Sequence, residues 1–392
     1  MHLDSRVGCW VVDAFSIKIG EVTLYFGEDS LAELKRYLSE SELVCIVTGK
    51  SSAEVSGALG DSVRLLEELG IKYVVYRGIK PNPSSDQVSD LARFMWEHGV
   101  DAVLAIGGGS VIDAAKVASA VAAGGGRVDE YMDGTRKPEL VLPLYAVNIT
   151  HGTGTEVDRY AVVTVGKIKY GRAICYPVAS VDDPKYTLTL PKSQTLYTAL
   201  DTFYHAYESA TVGKSRSPYV RLLAGEAIKL VKDWLSKVLS NLRDLEGRYW
   251  LLYASMLAGI AIDTASTHIV HAIEHALSGM KPELAHGAGL AMIGPRAVYY
   301  IHKASPEHSA SALKPIVPDI KASPEDAEKA SRAVEEFQRS LGFEERLSDY
   351  GFGKDDVEEV VKLVLGPLKY MSDETPFPVT EEIVKDIYLR SL

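Results

Sequence analysis

The side chains best equipped for chemistry in this sequence gather in one stretch. Of ten histidines, five (His205, His268, His271, His275 and His286) fall between residues 205 and 286. Asp201 and His205 are four apart, so on a helix a carboxylate and an imidazole share one face with tips able to meet at a cation. His271 and His275 repeat that spacing around Glu274, and His286 follows in Ala285-His286-Gly287, read as a turn that delivers an imidazole from outside those helices. Singly, each such histidine is more often a satisfied or exposed side chain than a ligand. As a set, nitrogen and oxygen donors in helical register suggest a mononuclear metal site with one position open for substrate.

A second group of residues suits a phosphate. Gly107-Gly108-Gly109-Ser110-Val111-Ile112-Asp113-Ala114-Ala115-Lys116 directly follows the apolar residues 102–106 and is expected to open a helix. Glycines let the backbone approach a ligand closely, and a helix start offers unpaired N–H groups and a positive dipole end to a pyrophosphate. A branched side chain at Gly108 is therefore expected to occupy the pyrophosphate's space. A glycine-rich turn alone is weak evidence, so the strand before it carries the argument. This is not a Walker A loop, and Gly49-Lys50-Ser51 also fails that test because Val44 stands where a glycine is required. Thr150-His151-Gly152-Thr153-Gly154-Thr155-Glu156 is a third candidate, a small polar loop after a strand, where open α/β sheets bind ligands. Taken alone it is only a loop.

These side chains need elements to hold them. From about residue 43 to 181, short runs of Val, Ile, Leu and Tyr (44–48, 73–76, 102–106 and 140–147) alternate with helix-length amphipathic stretches (52–69, 87–98 and 110–122). That rhythm predicts a parallel, doubly wound sheet. Pro81-Asn82-Pro83-Ser84-Ser85 reads as a loop entering the second helix. Beyond Asp182-Asp183-Pro184 the strand signal fades into helices separated by Gly, Pro and Ser. Residues 1–184 are thus expected to form a dinucleotide-binding α/β domain, and residues 185–392 an all-α domain holding metal and substrate. Within the latter, Ser323-Pro324-Glu325-Asp326 looks like a helix start, with Ser as the cap and Pro at the first position.

Composition narrows the partners. The 392 residues are 46% hydrophobic and 24% charged, with a formal charge of −11 and no Lys/Arg block, which argues against nucleic acid. No apolar run approaches the ~18 residues of a membrane span, and the stretch through Gly20 lacks a basic-then-apolar signal profile, so a cytoplasmic location is expected without a membrane partner. Cys9, Cys45 and Cys175 are far apart and read as small buried hydrophobes in a reducing compartment. Three Asn and three Gln in the whole chain match the amide depletion of heat-adapted proteins, which predicts a thermophilic source.

In this order and spacing, the motifs resemble the iron-dependent (group III) alcohol dehydrogenase family, its butanol-dehydrogenase-like members in particular. The resemblance spans nearly the whole chain, from Val47-Thr48-Gly49-Lys50 through Pro81-Asn82-Pro83, the glycine loop, the Thr150 to Glu156 loop, Asp201-x3-His205 and His271-x3-His275 to His286-Gly287. It implies that Gly107, Gly108, Gly109 and Ser110 hold a nicotinamide cofactor's pyrophosphate, with Asp113 in the following turn and Thr150 and Thr153 on the nicotinamide side. It further implies that Asp201, His205, His271 and His286 hold one divalent metal, Fe2+ by family and Zn2+ by ligand chemistry. His275 falls where the family has a substrate-side histidine; it is the candidate to pass the hydroxyl proton toward solvent, with a near-neutral titration. Asn148, Ile149 and His151 depart from the family pattern, and His151 has no assigned role.

The expected function is hydride transfer between NADP(H) and a small alcohol or aldehyde. NADP(H) is expected in preference to NAD(H) because Gly49 replaces the acid that would bind a ribose 2′-hydroxyl, beside Lys50 and Ser51. A zinc-dependent glycerol or glycerol-1-phosphate dehydrogenase would keep the fold, but the fourth donor and the Gly152 to Glu156 loop argue against it. A 3-dehydroquinate synthase-like lyase normally lacks the Ser-x2-Asp-x2-Lys continuation. A non-catalytic nucleotide-binding protein would bind cofactor without metal. A homodimer is compatible with all of these readings.

Overall fold

The computed structural model describes residues 14–214 and 217–392, so the reading of Cys9 lies outside the described residues. Strands β1 (Phe15–Ile19) and β2 (Val22–Phe26) pair antiparallel and precede α1 (Lys35–Leu38). Then come β3 (Leu43–Gly49), α2 (Ser52–Val55), α3 (Ala58–Leu69), β4 (Lys72–Ile79), α4 (Ser85–His98) and β5 (Ala102–Gly107). After α5 (Gly109–Gly124), α6 (Val128–Asp133) and β6 (Leu144–Asn148), a separate antiparallel hairpin of β7 (Tyr160–Val165) and β8 (Ile168–Ala173) leads to β9 (Ala179–Asp182). Seven strands form one sheet in the order β1-β2-β9-β6-β5-β3-β4, parallel except for β1 against β2.

Helices cover both faces, which is why the central strands are apolar throughout. On β5, Val103 and Ala105 pack with Cys45, Val47 and α5, whereas Ala102, Leu104 and Ile106 pack with Val44, Ile46 and α3. The strand and helix rhythm read from the sequence is therefore present, with local differences. The stretch 52–69 is two helices, because Gly57 takes a left-handed φ of 84° and breaks the first after one turn. The run 140–147 becomes strand only at Leu144, after Pro143, whose carbonyl accepts from Val103 N at 2.9 Å. Neither β1–β2 nor β7–β8 was anticipated. Cys45 is buried in β3 and its thiol is pushed up to about 12 by burial, but Cys175 is only half-buried.

The second half contains α7 (Lys192–Thr211), α8 (Pro218–Ser240), α9 (Leu245–Thr264), α10 (Ile269–Met280) and α11 (His286–Ala304). It continues through α12 (Pro306–Leu313), α13 (Ala327–Ser340), α14 (Val357–Leu365), α15 (Lys369–Ser372) and α16 (Glu381–Leu389), with no strand among the described residues. Ser323 stands at the N-cap position of a short 3-10 helix that Pro324 opens, as the sequence suggests, but makes no side-chain capping bond. Its hydroxyl is spent on Glu325, and the 3-10 turn over Pro324–Asp326 leads into α13. The helices share one apolar core in which Phe203, Tyr204 and Tyr207 of α7 join Ile19 of β1 and Val22, Leu24 and Phe26 of β2.

Candidate metal centre and cofactor loop

Two helices and the start of a third bring the predicted donors together. Asp201 and His205 lie one turn apart on α7, His271 lies in the first turn of α10, and His286 is the first residue of α11 rather than part of a turn. One donor atom from each lies within 4.8 Å of all the others. Asp201 Oδ1 is 3.4 Å from His205 Nδ1, 3.5 Å from His286 Nε2 and 3.8 Å from His271 Nε2. The His205 and His271 rings stack at 4.5 Å between centroids. A Cβ on Gly287 would run into the Tyr197 carbonyl of α7, so this glycine lets α11 approach closely enough to present His286.

The surrounding hydrogen bonds decide which nitrogens face inward. His271 Nδ1 bonds the buried Glu208 carboxylate, and His286 Nδ1 bonds Glu274. His205 Nδ1 lies 3.3 Å from the Gly152 carbonyl, which can only accept. With Nδ1–H donating in each case, Nε2 of His271 and His286 is a lone pair facing a carboxylate oxygen, and both Asp201 Oδ1 and His271 Nε2 lack a hydrogen-bond partner. Acceptors facing acceptors in a buried pocket repel unless a cation lies between them, so the donor set fits a divalent ion.

Electrostatics agree. Burial works against the Asp201 charge, yet His205, His286 and His271 hold its carboxyl at about 2. Burial also opposes charge on His271, but attraction to Asp201 and Glu208 lifts it to about 9, so a pocket with no cation in it takes up a proton instead. Glu208 also accepts from Val270 N at 2.7 Å and His271 N at 3.2 Å at the start of α10, where a negative charge suits the helix dipole. A second cluster, Glu274, His275 and His286, already holds a cation of the protein's own. The Lys169 ammonium from β8 donates to Glu274 at 3.1 Å and Ser278 at 3.0 Å, sharing the Glu274 carboxylate with His286 Nδ1–H.

His275 faces the same centre, its ring 5.8 Å from that of His286. Its Nδ1 donates to the Lys169 carbonyl at 2.9 Å, and burial together with the Lys169 cation pushes it well below the usual histidine range. The near-neutral titration expected of it is not what this environment produces.

The glycine loop lies at the carboxyl edge of the sheet, between β5 and α5, facing the Thr150 to Glu156 loop. A Cβ on Gly108 would fall 2.7 Å from Thr150 Cγ2, and one on Gly109 would fall 2.5 Å from Thr153 Cγ2. The protein's own threonines thus leave no room for a side chain at either glycine. Gly107 ends β5, where a Cβ would strike Val111. Ser110 is in the first turn of α5, whose leading N–H groups have no intrahelical partner. Asp113 is withdrawn from cofactor contact: its buried oxygens accept from Thr155 Oγ1 at 2.7 Å and Val162 N at 2.9 Å. Lys116, also buried, bonds Thr155, Asp158 and Tyr160 at 2.7 to 3.0 Å. Asp113 and Lys116 therefore clamp the second loop to α5. Gly49 ends β3, the strand beside β5, where a Cβ would lie 3.9 Å from Val111 Cγ2 of α5, and is followed by exposed Lys50 and Ser51.

Sequence reasoning passed over Glu208, Lys169 and Arg248. Glu208 could have been found, because it sits one turn beyond His205 on the same helix face. Lys169 and Arg248 carry no local signal, since their partners come from distant elements.

A glycine loop on a parallel sheet beside a buried N/O quartet on helices defines an α/β protein that pairs a phosphate cradle with a divalent metal centre. The chain belongs to the iron-containing alcohol dehydrogenase family, whose model matches residues 22–184, with the family's C-terminal model matching residues 195–392. It is 39% identical over 388 residues to a long-chain primary alcohol dehydrogenase of Thermoanaerobacter ethanolicus, covering 94% of this chain and 95% of that one. It is 31% identical to NADH-dependent butanol dehydrogenase A of Clostridium acetobutylicum, covering 86% and 90%. Among solved structures, an archaeal halo-thermophilic alcohol dehydrogenase from a Red Sea brine pool superposes with a TM-score of 0.89 at 28% identity over 96% of this chain and 99% of that one. The butanol dehydrogenase A of Thermotoga maritima gives 0.87 at 28% identity over 96% and 98%. Family membership makes the protein a metal-dependent alcohol dehydrogenase acting on an alcohol or aldehyde, and implies a divalent metal, typically iron, and a nicotinamide cofactor.

Proposed function

We propose that Asp201, His205, His271 and His286 hold the metal, and that the Gly107 to Ser110 turn with Thr150 and Thr153 receives the nicotinamide cofactor. The convergence of four donors within 4.8 Å, with unpartnered atoms facing inward, carries this reading. A bound divalent cation supplies Lewis acidity toward an alcohol or carbonyl oxygen, and the nicotinamide supplies or accepts the hydride. The protein's share is positional. Glu208, Glu274 and the Gly152 carbonyl fix the imidazole tautomers, and burial keeps water from the reacting atoms. His275, neutral, offers Nε2 as a hydrogen-bonding group beside the substrate rather than as a titrating acid. The test is elemental analysis with an NADPH fluorescence titration: His205→Ala and His271→Ala should each lose metal and turnover while still binding cofactor. Full metal occupancy in either variant would sink the assignment.

Iron is the preferred metal on family grounds, with zinc accepted by the same donors. A preference for NADP(H) belongs to the same proposal. Gly49 leaves no acid to repel a 2′-phosphate, and a Cβ there would meet only Ser52 Oγ closely, at 3.3 Å, a hydroxyl that can rotate aside for a larger side chain. The following helix α2 is one turn long, so its dipole adds little and Lys50 carries the attraction. Two relatives, a methanol dehydrogenase of Bacillus methanolicus and the butanol dehydrogenase A of Clostridium acetobutylicum, are named for NAD and NADH. Removing one charge repulsion is worth about 1 kcal/mol in water and more inside a protein, so kcat/KM should favour NADP roughly fivefold or more, and Gly49→Asp should reverse that. Better turnover of the parent with NAD refutes it.

The boundary near residue 184, a cytoplasmic location, a heat-adapted source and a homodimer complete the proposal. Composition supports the location and the source. The edge strand β1, open among the described residues, supports the dimer. No single helix among those residues is long and apolar enough to cross a membrane.

A further inference from the structure

His151 interrupts the cofactor loop with a buried imidazole whose hydrogen bonds go neither to the four donors nor to the glycine turn. Its Nε2 lies 3.0 Å from Arg248 Nη1, and a guanidinium can only donate, so Nε2 accepts and the proton is on Nδ1. That proton goes to Thr198 Oγ1 at 3.2 Å, and the threonine in turn donates to Gln194 O at 2.8 Å. Arg248 is fully buried on α9. Its remaining contacts are Thr195 Oγ1 at 2.9 Å, Leu242 O at 3.0 and 3.1 Å, and Leu190 O at 3.3 Å. Every acceptor it uses is neutral, and His151 is the one supplied by the cofactor loop. Burial and the neighbouring guanidinium depress the imidazole to about 3, so it stays neutral and its two roles do not exchange.

The residues flanking His151 face both halves of the reaction centre. Thr150 and Thr153 press on Gly108 and Gly109, while the Gly152 carbonyl receives His205 Nδ1 at 3.3 Å and Thr202 Oγ1 at 3.3 Å. A shift of this tetrapeptide therefore moves the cofactor turn's backing and a metal ligand's orienting acceptor at once. We infer that His151 is a positioning residue: bolted to Arg248 and Thr198, it fixes residues 150–153 in register with both the glycine turn and the helix carrying Asp201 and His205. The inference rests on the proposed nicotinamide site.

The experiment compares the metal-loaded parent with His151→Phe, Arg248→Met and their combination, and with His151→Gln, whose amide oxygen can again accept from Arg248. Each is titrated with NADPH well below its unfolding temperature, and urea unfolding is recorded separately. His151→Phe and Arg248→Met are each expected to weaken NADPH binding about tenfold, the pair no more than either alone, and His151→Gln to recover most of the loss. If a Phe or Met variant does not fold, His151→Gln and Thr198→Val carry the test, with Thr198→Val weakening binding about threefold. Parent-like affinity in folded His151→Phe or Thr198→Val, or losses that multiply in the combined variant, would overturn the assignment. A parent that holds metal but binds neither NADPH nor NADH overturns the cofactor reading itself, and this inference with it.

Discussion

Glu208 shows how much of the centre depends on residues that would not touch the metal. It holds His271 through Nδ1 and caps the start of α10 with the same carboxylate. Glu208→Gln should keep the fold and the cofactor site but weaken metal affinity about 10- to 100-fold, measured by competition with a chelator. Unchanged affinity would mean that the helix start, and not the ligand, is what Glu208 serves. His275 gives the opposite kind of prediction. Because its Nδ1 is spent on the Lys169 carbonyl and the Lys169 cation opposes a proton, His275→Ala should lower the rate about tenfold without changing the shape of the pH profile. Loss of a near-neutral limb in the variant would restore its acid–base role. At this scale the sequence was informative where spacing alone aligns side chains, as for Asp201 with His205. It misjudged the charge state of His275, because the burial and the Lys169 cation that depress it come from a hairpin 106 residues away in the chain.

The α/β rhythm was legible because alternating elements bury continuous apolar strands, a pattern visible in residues 44–48 and 102–106 without any tertiary information. What escaped were elements whose reason to exist is tertiary. Strands β7 and β8 pair only with each other in regular ladder form, and their exposed-looking Lys167-Ile168-Lys169 sequence makes sense only once α10 is in place. A Cβ on Gly279 of α10 would run into the Lys167 carbonyl, so hairpin and helix are in backbone contact where Lys169 enters the centre. The α7–α11 approach at Gly287 is the matching case on the other side. Gly287→Ala is expected to push α11 from α7, because its obstacle is a carbonyl of the backbone and cannot rotate away. Metal content should fall severalfold although no donor is altered, and elemental analysis of the folded variant measures it. Full occupancy would show that α11 can shift without carrying His286 out of range.

For the molecule as a whole, the apolar clusters around the sheet draw only on residues before α7, whereas the helical cluster of the second half also takes in the first strands. Ile19, Val22, Leu24 and Phe26 from the first strands lie in the same apolar cluster as α7, α8, α9 and α13, while β2 takes its parallel sheet partner from β9. Sequence reading placed a boundary near Pro184 because the element type changes there, and it had no means of seeing that the earliest strands pack with the latest helices. That arrangement bears on how the chain is made. As it leaves the ribosome, β2 has no parallel neighbour until β9 has been synthesised, and no floor under Phe26 until α9 has followed. Strands β1 and β2 are thus expected to settle after segments translated later, with Val22, Leu24 and Phe26 lacking their native partners in the interval. The β1–β2 hairpin works as a latch that closes only once the chain through α9, which ends at Thr264, is present.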